Sequence, residues 1–303
     1  MKKNKSGGKP FSQQGKLFAY AMITYAALHF AVFWVYINVD QFLLAFKLTA
    51  IDGTETYSLD NFRQIFNEFK YADSVMRYAL VNTFKYWISG TLKLLLTVFV
   101  AFFLWKKIPG YKTYTLLFFL PSILPSVMLI TLFKNMISTV GPLSVILQSV
   151  FGYEIPPLLM QSQTATNTII FFNMWAGFGV NMLIYIGAFS RIPDSIIDAA
   201  TLDGCKWYRE IWSITLPLIW ETLQIMIVLN VAGIFTASGP ILYFTNGNSY
   251  SKTYTISFWI YTQVQGGKFN YPSAVGLFYT GCALPLVIIT RYIANKLNKG
   301  VTF

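Results

Sequence analysis

The chain has 303 residues, of which 55% are hydrophobic, 18% aromatic and only 12% charged. Soluble domains carry about 25% charged residues, so the composition excludes an ordinary soluble protein and points to one embedded in a membrane. A formal charge of +11 could suit nucleic acid, but the Lys and Arg residues lie between apolar runs and form no compact basic face with interleaved aromatics.

The first 16 residues form a polar, lysine-rich tail. The apolar run from Leu17 to Val39 that follows is longer than a signal-peptide core, and no small-residue cleavage site follows it, so it reads as a retained span. Crossing a bilayer takes about 20 apolar residues. Six stretches reach that length, at 17–39, 78–105, 112–134, 168–190, 211–237 and 272–295. The expected class is therefore an all-α integral membrane protein with six transmembrane helices. Its parts are a tail over 1–16, a first helix with its outer segment over 17–77, and a core transmembrane domain over 78–300. Stretch 78–105 would be about 42 Å long as a helix, so it tilts or projects beyond the lipid. Pro121, Pro125, Pro217 and Pro285 fall in or beside spans, where neighbouring groups can satisfy the backbone.

Charge gives the orientation. Fourteen Lys and Arg residues fall on the tail, 105–112, 190–210 and the C-terminal end, and seven fall on the opposite side, six in the outer segments 40–77 and 238–271 and Lys134 at the edge of 135–167. This places both termini in the cytoplasm, with the segment around 191–217. Lys85 and Lys93 complete the set of 23, inside a span. No repeat of solenoid length is evident. Cys205 and Cys282 are too few for a disulfide framework or metal cluster, and His29 is the lone histidine, so neither a metal site nor a His-based catalytic site is expected.

Residues 198–204 read Asp198-Ala199-Ala200-Thr201-Leu202-Asp203-Gly204, and after nine residues come Ile214-Thr215-Leu216-Pro217. Taken singly, these residues would fit an ordinary amphipathic hairpin between spans. Together they resemble the "EAA…G…I.LP" loop of the membrane subunits of binding-protein-dependent ABC importers. Asp198 departs from that pattern by standing where the family usually has Glu. The resemblance implies the type I importer fold and a cytoplasmic docking loop of two short helices hinged at Gly204. It also implies ATPase docking through Asp198, Ala199, Ala200 and Gly204. The implied partners are a second homologous permease, two ATPase subunits that use the ATP, and an extracytoplasmic solute-binding protein. No cofactor is expected on the chain itself.

Two further runs resemble the sugar branch of that family, which includes maltose, glycerol-phosphate and multiple-sugar permeases. Leu59-Asp60-Asn61-Phe62 resembles its "GLxNF" entry, with Asn82-Thr83 following. Phe244-Thr245-Asn246-Gly247-Asn248 resembles its "LTNGGP" turn, with Asn248 and Ser249 replacing glycine and proline. The resemblance covers about 60–300. It implies a saccharide or oligosaccharide as the solute, with a non-sugar solute as the alternative.

Asn173-Met174-Trp175-Ala176-Gly177 resembles an Asn-x-Trp-x-Gly run that lines the sugar site in maltose-type permeases. An amide hydrogen-bonds hydroxyls, an indole stacks on a sugar ring, and a glycine lets the ring approach the backbone. The resemblance also places Asn230 at a site position, and it puts Val180 where the family has a tyrosine. Trp175 could instead be a packing aromatic, and Asn173 and Asn230 could bridge helices. Lys93 joins the candidate substrate-binding residues because a charge inside a span is costly and faces a cavity or a partner. Glu221, an acid of the sister permease, and an acidic group on the substrate are its candidate partners, whereas Lys85 can snorkel to the outer end. A membrane enzyme would need a catalytic constellation, and a stand-alone secondary transporter would need intramembrane acids and more spans; neither is present in the sequence.

Overall fold

The computed structural model describes residues 13–49, 53–71, 74–236, 238, 240–245 and 251–297. Four helices are long and apolar enough to cross a membrane: Gly15–Phe46, Val75–Trp105, Thr164–Phe189 and Asn270–Leu297. Two bent pairs, Tyr111–Ile123 with Ser126–Met136 and Trp207–Leu218 with Trp220–Ala232, bring the spans to six if each pair counts as one. The expected all-α membrane architecture is therefore present. Strand is confined, among the described residues, to one antiparallel hairpin of Lys47–Thr49 and Glu55–Tyr57.

Two stretches expected to be continuous helices are broken. Within 112–134 the chain bends by 106°. Pro125 has no N–H to donate and disfavours helical geometry in the residue before it, so Leu124 is extended at φ −75°, ψ 142°. Within 211–237 the bend is 79°. It falls at Ile219, after the π-helical turn Ile211–Thr215 and after Pro217. Only Trp220–Ala232 then continues as membrane helix, and the preceding part belongs to the loop.

The apolar core has three parts. One joins the C-terminal half of the second span, from Leu94 to Leu104, to Met182, Tyr185 and Phe189 of the fourth span and to Ile211, Ile219 and Leu223. Another gathers Tyr86, Leu129, Ile130, Phe133, Ile169, Phe172, Phe244 and Phe258. The last joins Ile65 and Met76 to Ile256, Trp259 and Tyr279. The sixth span packs on the fifth, where the Trp220 indole N–H donates to the Ala294 carbonyl at 2.9 Å.

The sugar-branch runs have structural roles. Asn61 is 3% exposed, and its amide donates at 3.0 Å to the carbonyls of Ala45 and Lys47, closing the C-terminal end of the first long helix. Phe62 packs against Phe46, with ring centroids 5.2 Å apart. Asn82 donates to the carbonyls of Lys252 and Tyr254 at 2.8 and 2.9 Å, and the Thr83 hydroxyl accepts from the Ile256 N–H at 3.0 Å. These bonds pin the segment before Ile256–Gln265 onto the second span. Asn246, Gly247, Asn248 and Ser249 lie outside the described residues.

Candidate functional site

Two places carry the candidate residues: a cavity within the spans and the loop at 194–217.

The cavity has a volume of about 630 Å³, within the range of about 300–1,000 Å³ usual for small-molecule sites. Its wall comes from three spans. The second gives Tyr86 and Lys93, the fourth gives Phe172, Asn173, Ala176 and Gly177, and Pro240 and Tyr243 close one side. The broken third span gives Pro121, Ser122, Leu124, Ser126, Leu129 and Ile130 from both sides of its bend. Irregular backbone at membrane depth is tolerated where it lines a cavity. Here the break caused by Pro125 forms part of the wall.

Asn173, Gly177 and Lys93 therefore come together. A Cβ built on Gly177 would lie 2.9 Å from Lys93 Nζ, so the missing side chain leaves room for the ammonium. Lys93 is half-buried, and Glu221, one of its candidate partners, is exposed and makes no ion pair with it among the described residues. Trp175 does not stand in the wall. Its ring lies 6.1 Å from Phe133 and 6.1 Å from Phe172, and of these two neighbours Phe172 lines the cavity. Asn230 also lies apart, its amide 3.4 Å from Thr91 Oγ1, bridging the fifth span to the second. Val180 is exposed away from the wall. Lys85 is exposed, as a snorkelling side chain would be.

Sequence reasoning did not single out Tyr86, Ser122, Ser126 or Tyr243. Tyr86 is 7% exposed, and its hydroxyl has no hydrogen-bond partner among the described residues. A polar aromatic on the same helix as an intramembrane lysine, two turns away, was the available signal.

The loop forms two short helices, Asp194–Leu202 and Trp207–Glu210. Between them Gly204 has φ +67°, where any Cβ is disfavoured. The Gly204 N–H reaches the Thr201 carbonyl at 3.0 Å and the Cys205 N–H reaches the Ala200 carbonyl at 2.9 Å, the bond pattern of a Schellman cap. Asp198 and Ala199 are exposed, while Ala200 is 8% exposed and packs inward. Leu202 is 89% exposed and shares a face with Asp198 one turn away, an exposed apolar residue that sequence reasoning did not single out. The second short helix is held by the end of the second span: Trp207 packs on Phe99 and Phe103, with centroids 6.0 and 5.5 Å away, and Glu210 pairs with Lys106 at 2.6 Å.

Residues 93–303 match the family of inner membrane components of binding-protein-dependent transport systems. The chain is 28% identical over 275 residues to the probable ABC transporter permease protein YesP of Bacillus subtilis (strain 168), covering 89% of this chain and 85% of that protein. It is 28% identical over 200 residues to the maltose/maltodextrin transport system permease protein MalF of Klebsiella aerogenes, covering 64% of this chain but only 38% of MalF. The chain thus spans less than half the length of that relative. Among solved structures, a bacterial ABC transporter involved in the import of the acidic polysaccharide alginate superposes with a TM-score of 0.79 at 21% identity, over 94% of this chain and 98% of that one. The same kind of transporter, bound to a periplasmic protein carrying an alginate pentasaccharide, gives a TM-score of 0.82. At this identity the likeness is one of fold. With a family match over more than two thirds of its length and this fold, the chain belongs to the inner membrane components of binding-protein-dependent transport systems, as a multi-pass permease of the ABC importer type.

Proposed function

We propose that this chain is one of two homologous permease subunits of an ATP-driven importer for a saccharide or oligosaccharide, and that it forms half of the translocation path. The observation that carries this reading is the cavity of about 630 Å³, whose wall combines Asn173, Tyr86, Ser122, Ser126 and Lys93 with apolar and aromatic neighbours. Hydroxyl-rich rings need both kinds of surface. Relatives named as maltose/maltodextrin permeases support the solute class. Trp175 and Asn230, with Asn173, Gly177 and Lys93, remain substrate-site residues in this reading. The first two are not among the described lining residues, and in this reading they reach the solute as the spans rearrange.

In the same reading the loop at 191–217 faces the cytoplasm with both termini and docks on one of two ATPase subunits through Asp198, Ala199, Ala200 and Gly204. ATP is bound and hydrolysed by those partners, and an extracytoplasmic binding protein delivers the solute. Gly15–Phe46 has an apolar window with no share buried within this chain, a surface that suits lipid and the sister permease. The test is uptake by the reconstituted importer with its binding protein, across neutral and charged saccharides and non-sugar solutes. Uptake of non-sugar solutes alone would overturn the saccharide reading.

A further inference from the structure

An ammonium at membrane depth is expensive unless something balances it. Lys93 is held within the spans on the 31-residue helix Val75–Trp105, and it stands in the wall of the cavity against Gly177. Among the described residues, none that lines the cavity is an acid, and Lys93 is the one charged residue of that lining. Among the described residues its ammonium is in no ion pair. One turn of the fourth span brings Asn173 to the same wall, and Tyr86 places there a phenol that is 7% exposed and whose hydroxyl has no partner among the described residues. The cavity thus presents one cation and an amide, with a buried, unpartnered phenol beside them and nothing negative among the described lining residues. That is the complement of an anion carried on a hydroxylated ring.

We propose that the saccharide carried by this importer is acidic, with Lys93 receiving its carboxylate in the cavity and Tyr86 and Asn173 bonding to the same ring. This rests on the saccharide reading above and goes further by naming the substrate's charge. A single ammonium balances a single negative charge, which suits a uronate. A phosphate monoester, with about −1.5 to −2 at neutral pH, would be left under-compensated. Gly177 leaves room for the ammonium, because a Cβ there would lie 2.9 Å from Lys93 Nζ and oblige it to shift.

The test uses the complete importer with its binding protein in liposomes, comparing an oligouronate, the matched neutral oligosaccharide with hydroxymethyl in place of carboxylate, and a sugar phosphate. The wild type should take up the uronate in preference to the other two. Hydrogen bonds to charged groups contribute about 1.5–3 kcal/mol, so Lys93→Met should lower the ratio of uronate to neutral uptake about tenfold or more. Lys93→Arg should restore much of that ratio. Preference for the neutral sugar, or for the sugar phosphate, would overturn the inference while leaving the saccharide reading intact. Equal loss of acidic and neutral uptake in Lys93→Met, or failure of that variant to copurify with its sister subunit, would overturn it as well, by giving Lys93 a structural partner. Uptake of no saccharide at all would remove the underlying reading with it.

Discussion

Lys106 Nζ lies 2.6 Å from Glu210 Oε1, joining the C-terminal end of the second span to the second short helix of the loop. The Glu210 side chain is 7% exposed and that of Lys106 is 29% exposed, so the two ends are not equivalent. Breaking a buried pair is costly because it strands a charge, by about 3–5 kcal/mol. Lys106→Met, which strands the more buried Glu210, should therefore destabilise the purified complex more than Glu210→Gln does. The double variant should recover part of the loss, as coupled neighbours do. Thermal unfolding of the three complexes checks the order. Equal effects of the two single changes would show that the pair is not what holds the loop.

Gly204→Asp should leave the subunit in the membrane and lower solute-stimulated ATP hydrolysis. The φ of +67° is strained for any side chain, yet nothing lies within 4 Å of a Cβ there, so the change strains the turn without a clash in the core. Membrane yield and ATPase stimulation in liposomes are the readouts. Wild-type stimulation would show that the turn takes no part in coupling. Asp198→Glu, which lengthens an exposed acid by one methylene, should be tolerated in the same assay.

Trp175→Ala should reduce uptake strongly while copurification with the ATPases persists. In the described state the indole backs Phe172 and Phe133, so its loss either loosens the cavity wall or removes a stacking surface. Binding of saccharide to the isolated complex separates the two outcomes: a changed selectivity among ring types indicates stacking, and a uniform loss indicates a slack wall.

Asn82→Ala should destabilise the outer segment by about 1–3 kcal/mol, the range for leaving buried polar groups unpaired. Both carbonyls that it satisfies, Lys252 and Tyr254, are distant in sequence. Hydrogen exchange across 251–256 should speed up locally, with little change in 182–189, where the packing is apolar and separate.

Reporters fused after Gly300 and inserted near Gly247 should read as cytoplasmic and external respectively. A reversed result would overturn the orientation drawn from the lysine and arginine distribution.

The spans were legible in the sequence because uninterrupted apolar length is required for crossing a bilayer, and the glycine hinge was legible because a positive φ leaves few alternatives to Gly204. The breaks at Leu124 and Ile219 were not, since a proline in a membrane helix bends it in one context and is absorbed in another. That is also why most of the cavity was hidden. Ser122 and Ser126 line the same cavity as Lys93 from the two sides of the turn in the third span, and no periodicity signals that. Lys93 itself stood out through the cost of its charge. Asn230 and Trp175 were drawn from resemblance and from the chemistry of sugar recognition, and neither is among the described lining residues. Asn61 and Asn82 were noticed as motif letters, whereas the carbonyls they satisfy could be found only in three dimensions.

The second span runs unbroken for 31 residues, in contrast to its bent neighbours. Lys93 and Tyr86 at the cavity and Lys106 at the loop are thus fixed on one rod, with about 20 Å between Lys93 and Lys106 at roughly 1.5 Å per residue. Were that rod to pivot by about 10° at the loop, the ammonium would swing by about 3.5 Å over that arm, more than the length of the hydrogen bond it would make. Such a lever lets a small displacement at the loop release a tightly held anion without any element in between having to bend.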